Sequence, residues 1–564
     1  MDIIIGKVRD KAVSGIKGLL KKWYAESKPS KDRSNVNRFR YDAGNVRLFG
    51  RDEELALLWD FCHADSHFSW YAISGEGGSG KTRLAHTLGT LIEKRGHDKR
   101  WRGPWVYYKV DYAHEEGLAK AKADIQNDPR NTLLVLDYVK WHTDSIGEWL
   151  YGLWREWHDR DLSIRVLLVE RDSIVHDLRR WQHNVIDAQY QPAWPASFLN
   201  EYKLMQMQPL RDEDIMRVVE DFAASTEQQD LIDAKLILKI LKEKVDPTFR
   251  RPLYALFLAD AQIMGENLLR WERKDALHYV YLKEIERINI LASGIPKNIV
   301  NIVCSILLIA TLSGGMSWDK FADLLPKECA RLRKYADDTY TDETELLASC
   351  LGLTYSEQEP LFIPPLEPDL LGEFYSIQEL FFAEDTQRKK TVGLAMLNDL
   401  RRSAVIFDRI AHDYGDLLAE KRMEKLFTEI SLPESIMAIG VKGLPIPSID
   451  GWAFSDCASL KNIDIPNTVT SISDSAFFGC EGLTSINIPD SVTAINFDAF
   501  FGCINLASIV LSDFMSYIGD DAFGDCPSLK TVYVRGKVTD VIREAFEGMN
   551  VEFIEIPKDK IDLP

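Results

Sequence analysis

The eight residues 75–82, GEGGSGKT, have the types and spacing of a phosphate-binding loop. They match G-x-x-x-x-G-K-[ST] in full, and glycines at this spacing let backbone N–H groups converge on phosphate oxygens. Lys81 is expected to reach the β and γ phosphates, and Thr82 to hold a magnesium ion. The pattern therefore predicts binding of a nucleoside triphosphate with Mg²⁺, and ATP is the nucleotide that we expect. The predicted phosphate-binding set is Gly75, Gly77, Gly78, Ser79, Gly80, Lys81, Thr82 and Arg83.

Two later apolar runs end in charged residues that would complete such a site. TLLVLDYV (132–139) supplies Asp137 as a second member of the magnesium shell, and RVLLVERDS supplies Glu170, which could approach the phosphates from the next strand. Arg171 is either a sensor of the γ-phosphate or metal, or a surface ion-pair residue. Tyr138 stands where many hydrolytic P-loop proteins carry the carboxylate that activates water. Lys81, Asp137, Glu170 and Arg171 are therefore the catalytic candidates, and we expect slow ATP hydrolysis, if the chain is an enzyme at all.

The elements that must position these residues follow from hydrophobic periodicity. Short apolar strands alternate with helices, which predicts a parallel α/β sheet; the predicted strands are 69–74, 104–110, 131–137, 164–169 and 202–207. Beyond residue 210 the helical period dominates, with a hairpin predicted near LGLTYSEQEPLFIPPL (351–366). We predict a multidomain α/β plus α chain. Its domains are a P-loop NTPase core (47–210), a helical subdomain (211–296), a winged-helix or helical subdomain (297–431) and a leucine-rich-repeat solenoid (432–564).

The solenoid prediction comes from a 23-residue repeat. Ala-Phe pairs stand at 453/454, 476/477, 499/500, 522/523 and 545/546, and cysteines recur at 457, 480, 503 and 526. A unit this short cannot bury its own apolar face, so the units must stack. The pattern LxxIxIPxxVTxIxxxAFxGC resembles the BspA-type leucine-rich repeat. Ladder packing is favoured for the cysteines over a metal or redox role, because Cys behaves as a small buried hydrophobe.

Charge and composition limit the partners and the compartment. The chain has 564 residues, 46% of them hydrophobic, and a net charge of -19, which disfavours a general nucleic-acid binder. An apolar run at 299–312 is too short for a membrane span and is predicted to be a buried helix. The charges in MDIIIGKVRDKAV interrupt any signal-peptide core. With no export signal predicted, the eight cysteines are expected to be reduced in a cytoplasmic protein.

The first 40 residues differ from the rest in charge. They carry eleven Lys or Arg against four acids, and residues 1–27 form a predicted basic amphipathic helix with Ile4, Val8 and Ile16 on its apolar side. A polar linker is predicted at 28–46. Three interpretations of the helix remain open: an element that associates with membrane on activation, a docking helix for a separate effector, or a helix packed on the NTPase.

The order of motifs resembles the STAND class of signal-transduction NTPases, the bacterial relatives of NB-ARC and NACHT proteins. The resemblance rests on LFGRDEELALLWDF, GEGGSGKTRLA, LLVLDYV, RVLLVERD, RRPLYALF and PPLEPDLLGEFY, over about 47–380. It implies that Gly50 and Arg51 lead to the adenine pocket and that Pro252 stacks near the base, as in the family's G-x-P motif. Proline at a first helical position also serves as a plain helix start. Arg250 or Arg251 stands where that motif has glycine, and PDLLGE (368–373) stands in for the absent Met-His-Asp motif.

The resemblance implies an NLR-like, ATP-dependent switch in anti-phage immunity. In that interpretation the repeats bind a foreign phage protein, ADP occupies the resting state, and the active form is a homo-oligomer. The alternative is a non-immune ATP-dependent regulator or adaptor, such as a winged-helix transcriptional regulator. The acidic body disfavours the DNA-binding variant, and no nucleic-acid partner is expected. A third interpretation, an adhesin that uses the repeats, would need an export signal.

Overall fold

The fold was analysed in a computed structural model of the chain. The residues it describes are 47–63, 67–95, 104–110, 115–137, 149–150, 152–155, 162–170, 204–336, 340–353, 361–366, 369–421, 423–432, 438–439, 445–446 and 448–558. The predicted amphipathic helix (1–27) and the linker (28–46) lie outside these residues. The contacts divide the chain into two compact units. The first comprises residues 1–287 with 367–371, and the second comprises 288–366 with 372–564.

The first unit is built around a five-stranded sheet in which every neighbouring pair of strands is parallel. Its strands are β1 (Phe68–Ser74), β2 (Trp105–Val110), β3 (Asn131–Asp137), β4 (Ile164–Glu170) and β5 (Leu204–Gln206). The spatial order is β2-β3-β4-β1-β5. The five predicted strands are confirmed, with ends that shift by no more than two residues.

Apolar runs on both sheet faces explain why these strands lie in the interior. Burial is continuous along β4 and nearly so along β3, as expected for parallel strands covered on both sides. Helices α1 (Asp52–Cys62), α2 (Lys81–Arg95) and α3 (Glu115–Asn127) accompany the sheet. Since β4 separates β1 from β3, the ends of all three strands meet at one edge of the sheet.

Four helices follow the sheet within the first unit, as the helical period predicts. They are α4 (Asp212–Ser225), α5 (Ala234–Ile240), α6 (Pro252–Ile263) and α7 (Arg273–Leu291), whose last turn belongs to the second unit. α6 begins with proline at its first position, where the missing N–H has no helical partner to lose. Ten of its twelve residues are buried, so α6 is the central helix of this part.

The second unit begins with further helices. They are α8 (Lys297–Leu312), α9 (Trp318–Leu324), α10 (Pro326–Ala336), α11 (Glu343–Leu351), α12 (Asp369–Phe382), α13 (Asp385–Asn398), α14 (Leu400–Asp413), α15 (Gly415–Lys421) and α16 (Glu424–Thr428). α8 contains the apolar run 299–312, which is buried along most of its length as predicted. The first residues of α12, up to Leu371, group with the first unit.

The hairpin predicted within 351–366 lies only partly among the described residues, and its second half pairs with a distant strand. Strand β7 (Phe362–Ile363) pairs antiparallel with β6 (Met316–Ser317), which lies far upstream in the chain. The local pairing that the turn-forming residues predict stays a prediction. Residues 354–360 lie outside the described part, and the winged-helix subdomain stays a prediction.

The chain ends in stacked repeats with two parallel ladders of short strands. One ladder contains β11 (Ser448–Ile449), β13 (Ser471–Ile472), β15 (Ala494–Ile495) and β17 (Tyr517–Ile518). The other contains β14 (Ser485–Asn487), β16 (Ser508–Ser512), β18 (Thr531–Arg535) and β19 (Glu552–Ile556). β12 (Asn462–Asp464) pairs with β8 (Glu429–Ser431), just before the predicted start of the repeats at residue 432. In sequence, an antiparallel pair of strands lies between β8 and β12, namely β9 (Ala438–Ile439) and β10 (Pro445–Ile446). Helix α17 (Asp540–Ala545) follows β18.

The repeated phenylalanines and cysteines form ladders in the solenoid interior. Phe454, Phe477, Phe500 and Phe523 stack with ring centroids 5.2, 5.0 and 5.5 Å apart and nearly parallel planes. The thiols of Cys480, Cys503 and Cys526 each donate to a phenylalanine carbonyl of an earlier turn, at 3.1–3.2 Å. Burial raises the pKa of the Cys526 thiol to about 11. These contacts agree with the ladder-packing prediction for the cysteines.

The hydropathy of the helices also bears on the membrane prediction. In the part of the chain that the structure describes, every helix is too short or too polar to span a bilayer.

Candidate nucleotide-binding site

The GEGGSGKT loop connects β1 to α2 at the carboxyl edge of the sheet. Three of its four glycines take backbone conformations that other residues rarely adopt, with φ of 151° at Gly75, 78° at Gly78 and 95° at Gly80. α2 begins at Lys81, so the loop ends at a helix amino terminus, where free N–H groups favour an anion. The loop therefore has the backbone form that its motif predicts.

The side chain of Lys81 folds back over this loop and is almost fully buried. Its Nζ donates to the carbonyl oxygens of Gly75 at 2.5 Å and Glu76 at 2.9 Å. A buried ammonium needs such acceptors, because an unpaired charge in the interior is strongly unfavourable. These carbonyls hold the ammonium against the loop, where an incoming phosphate could replace them.

The two predicted magnesium ligands lie together at the sheet edge. Thr82 Oγ1 donates to Asp137 Oδ2 at 2.9 Å. β4 lies between β1, which leads into the loop, and β3, which ends at Asp137. The last residue of β4, Glu170, is level with Ser74 of β1 and buried. A hydroxyl and a carboxylate in contact are ligand types that Mg²⁺ prefers, and Glu170 is a further carboxylate at the same edge.

A cavity of about 240 Å³ opens beside the loop. Arg51, predicted to lead to the adenine pocket, lines it together with Ser79 and the predicted base-stacking residue Pro252. Gly50 has a different position: a Cβ placed on it would lie 2.7 Å from Asp214 Cγ of α4. The segment before α1 thus brings Arg51 to the cavity, while Gly50 packs against the helical part.

Two buried arginines contact the loop, one from before the motif in sequence and one from after it. Arg51, 4% exposed, pairs with Glu54 at 2.9 Å and reaches the Ser79 carbonyl at 3.4 Å. Arg251, 3% exposed, reaches the Gly77 carbonyl at 3.5 Å. Both arginines line the cavity together with Glu76, so the cavity wall carries charged side chains of both signs.

Orphaned polar atoms test whether these residues fit a bound nucleotide. Among the described residues, Ser74 Oγ, Ser79 Oγ and Arg51 Nε are buried and have no hydrogen-bond partner. Native proteins rarely leave such groups unpaired without a reason. Unused donors next to a glycine loop and two guanidiniums suit a polyphosphate, with Lys81 at its phosphates and Thr82 and Asp137 at its metal ion. When bound, magnesium would neutralise part of the phosphate charge.

The remaining predicted site residues are Arg83, Arg171, Tyr138 and those of the PDLLGE stretch. Arg83 lies in the first turn of α2 and is partly exposed. Arg171 and Tyr138 lie outside the described residues. From the PDLLGE stretch, Leu370 groups with the first unit, and its Cδ1 would lie 3.1 Å from a Cβ on Gly78. That contact is apolar, and the replacement of the Met-His-Asp motif by this stretch stays a prediction.

Sequence reasoning missed Arg251 and Asp246 as parts of the site. Asp246, 4% exposed, accepts three hydrogen bonds from Arg251, from its backbone N–H, Nε and Nη2. The only available signal was a row of charged residues in DPTFRRP (246–252), which is not a phosphate-binding motif. Burial of the pair becomes apparent only when α6 is placed beside the loop.

A parallel sheet whose first strand leads through this loop into a helix is the fold of P-loop ATPases. At the carboxyl end, residues 447–563 match the model of the BspA type leucine rich repeat region, in six copies. A comparison with curated proteins gives no match.

Similar solved structures include a leucine rich repeat protein of T. pallidum, 26% identical, covering 23% of this chain and 72% of that one, with a TM-score of 0.16. The Orc1 protein of Aeropyrum pernix, solved with DNA, is 13% identical and covers 61% of this chain and 96% of that one, at a TM-score of 0.32. DnaA from Aquifex aeolicus, bound to AMPPCP, is 15% identical and covers 57% and 88%, at 0.28.

Proposed function

We propose that this protein is an ATP-dependent switch of the STAND class, in which Mg²⁺ and ATP or ADP occupy the cavity beside the GEGGSGKT loop. The observation that carries the proposal is the convergence of Lys81, Thr82 and Asp137 on one edge of the sheet, next to orphaned donors. Pro252, the first residue of α6, lines the cavity together with Arg251 before it. A ligand held between a sheet and a helix can bias their relative position, which is what a switch requires.

Two local features support the STAND assignment in particular. Arg250 has φ of 48°, a left-handed conformation that favours glycine, and this supports matching Arg250 to the glycine of the family's G-x-P motif. Pro252 begins α6 and lines the cavity, as expected for a residue near the base. The absence of a carboxylate directly after Asp137 supports slow hydrolysis, since Tyr138 cannot act as a general base at neutral pH.

The repeats supply the sensor in this proposal. A solenoid has an extended surface that can vary without disturbing its interior, and we infer that it binds a foreign phage protein. Binding would cause the protein to assemble into a homo-oligomer. Residues 1–27 of the oligomer would then act on a membrane or on a separate effector. Anti-phage immunity rests on the resemblance of the motifs to NLR-like proteins.

Replacement of Lys81 tests the proposal directly. We expect Lys81→Ala to weaken ATP binding by about a hundredfold, because it removes a charge-assisted contact to the phosphates. The measurement is titration of the purified chain with a fluorescent ATP analogue and Mg²⁺. Lys94→Ala, at the exposed end of the same helix, is the matched control and should bind normally. Equal binding by both variants would refute nucleotide binding at this loop.

The immune role has a separate test in cells. Bacteria that express the wild-type chain should resist at least one phage of a diverse panel, and the Lys81→Ala variant should lose that resistance. Resistance that persists in the variant would show that the nucleotide does not control the output.

A further inference from the structure

The buried pair of Arg251 and Asp246 has no role in the predicted site, yet it touches the phosphate loop. Arg251 is the residue just before α6, and its guanidinium lies over the rings of Phe249 and Tyr254, at 5.4 and 5.0 Å. With Asp246 it forms a bidentate pair. The pair fixes both the position and the plane of the guanidinium at the cavity wall.

The contacts of Arg251 with the loop are weak by comparison. Its Nη1 lies 3.5 Å from the Gly77 carbonyl and 3.7 Å from Glu76 Oε2, at the outer limit of hydrogen bonding. An arginine this deeply buried normally has its donors fully used. Nη1 therefore has the capacity for a stronger acceptor, and phosphate oxygens are the acceptors that a planar guanidinium binds best.

The location of Arg251 indicates which end of a nucleotide it would meet. Lys81 Nζ contacts the Glu76 carbonyl, and Arg251 approaches the Glu76 carboxylate. Both cations are thus at the same end of the loop, and the lysine of such a loop reaches the β and γ phosphates. Arg51 reaches Ser79 at the other end. Arg251 is therefore placed toward the terminal phosphates.

We propose that Arg251 is a ligand of the terminal phosphate, presented by the start of α6 and held in position by Asp246. This inference rests on the proposed nucleotide site and adds a residue to it. Because Arg251 immediately precedes α6, its contact with a triphosphate would tie that helix to the loop, and a diphosphate would leave the tie weaker. The pair would then make the position of α6 depend on which nucleotide is bound.

The test compares the affinities of the full chain for fluorescent analogues of ATP and ADP. Arg251→Ala would leave Asp246 buried and unpaired, so the primary variant is Arg251→Gln with Asp246→Asn, which removes both charges and keeps similar shapes. We expect the preference for ATP over ADP to fall by about tenfold, the effect of losing one hydrogen bond to a charged group. Arg251→Lys, which keeps charge but not the planar fork, should give a smaller loss.

The matched control is Arg270→Gln. Arg270 is an exposed arginine of the same helical part, and it does not line the cavity. The control should keep the ATP preference of the wild type. A melting curve of each variant checks that it is folded. If the paired variant weakens ATP and ADP equally, Arg251 is structural support and the inference is wrong.

Glu76→Gln separates a direct phosphate contact from simple screening of the Glu76 carboxylate. If Arg251 only neutralised Glu76, adding Glu76→Gln to the paired variant would restore the ATP preference. We expect no restoration, and restoration would overturn the inference. A wild-type chain that binds neither nucleotide would refute the proposed function and this inference together, whereas normal ATP binding with an unchanged preference in the paired variant would refute this inference alone.

Discussion

At the scale of single residues, Gly50 joins the nucleotide cavity to the helical part of the first unit. Its φ is 67°, and a Cβ would lie 2.7 Å from Asp214 Cγ. Asp214 is itself fixed by Arg211 at 2.8 Å, so it cannot move away freely. Arg47, a few residues earlier, is hydrogen-bonded to Asp221 of the same helix through its backbone and side chain.

We expect Gly50→Ala to destabilise the first unit by about 2–4 kcal/mol, since strain at positive φ adds to a close contact. Gly265→Ala is the control, because Gly265 also has positive φ, 85°, but a Cβ there would meet no atom within 4 Å. The control should show only the strain, about 1 kcal/mol. Thermal unfolding monitored by circular dichroism measures both, and equal losses would contradict a role for the Asp214 contact.

Residues that follow a strong local pattern could be predicted, and those brought in by packing could not. Lys81, Thr82 and Asp137 were accessible from sequence because each stands at a fixed place relative to an apolar strand. Arg251 was noticed only as a mismatch to a glycine. Its charge is compensated by Asp246, five residues earlier, and no periodicity reveals that pair.

At the scale of elements, the phenylalanine stack is the main support of the repeats. Phe500 is completely buried and lies between the rings of Phe477 and Phe523. Phe497, three residues earlier, is 48% exposed. The two positions therefore separate the interior from the surface within one repeat.

Phe500→Ala should lower the free energy of unfolding of the repeats by about 3–5 kcal/mol, because it leaves a large cavity. Phe497→Ala should change it by less than about 1 kcal/mol, as is usual at the surface. Urea denaturation followed by circular dichroism distinguishes the two. A small effect of Phe500→Ala would mean that neighbouring turns collapse into the space.

The strands of the first and second units differ in how well hydrophobic periodicity predicts them. The five strands of the sheet were predicted closely because buried parallel strands are continuous apolar runs. β6 and β7 contain two residues each, too few to show a period, and their pairing depends on a long-range contact. Short strands could be predicted in the repeats only because the same weak sequence pattern recurs every 23 residues.

At the scale of the whole molecule, the site and the proposed sensor fall in different compact units. Two exposed aromatic side chains of the repeats, Phe497 and Tyr517, lie next to each other in space, with ring centroids 6.2 Å apart. Exposed aromatic pairs are frequent anchors of protein interfaces. This pair is therefore a direct place to test the sensor role.

We expect Phe497→Asp with Tyr517→Asp to abolish phage resistance while ATP affinity stays within about twofold of the wild type, because buried charge at an interface opposes binding. Thr484→Asp with Ala507→Asp is the control, exposed beside the other strand ladder. Phage plating and nucleotide titration are the two measurements. Unaltered resistance in the aromatic variant would exclude this surface as the sensor, and equal loss in the control would indicate a general defect.

The stacked rings also constrain how such a chain can change in length. Neighbouring rings are spaced by one 23-residue unit, and three successive units repeat the same thiol-to-carbonyl bond. A gain or loss of one whole unit would keep the ring and thiol positions in register, whereas a gain of part of a unit would shift them out of register. The solenoid can therefore evolve by copy number, acquiring new surface in single steps without redesign of its interior.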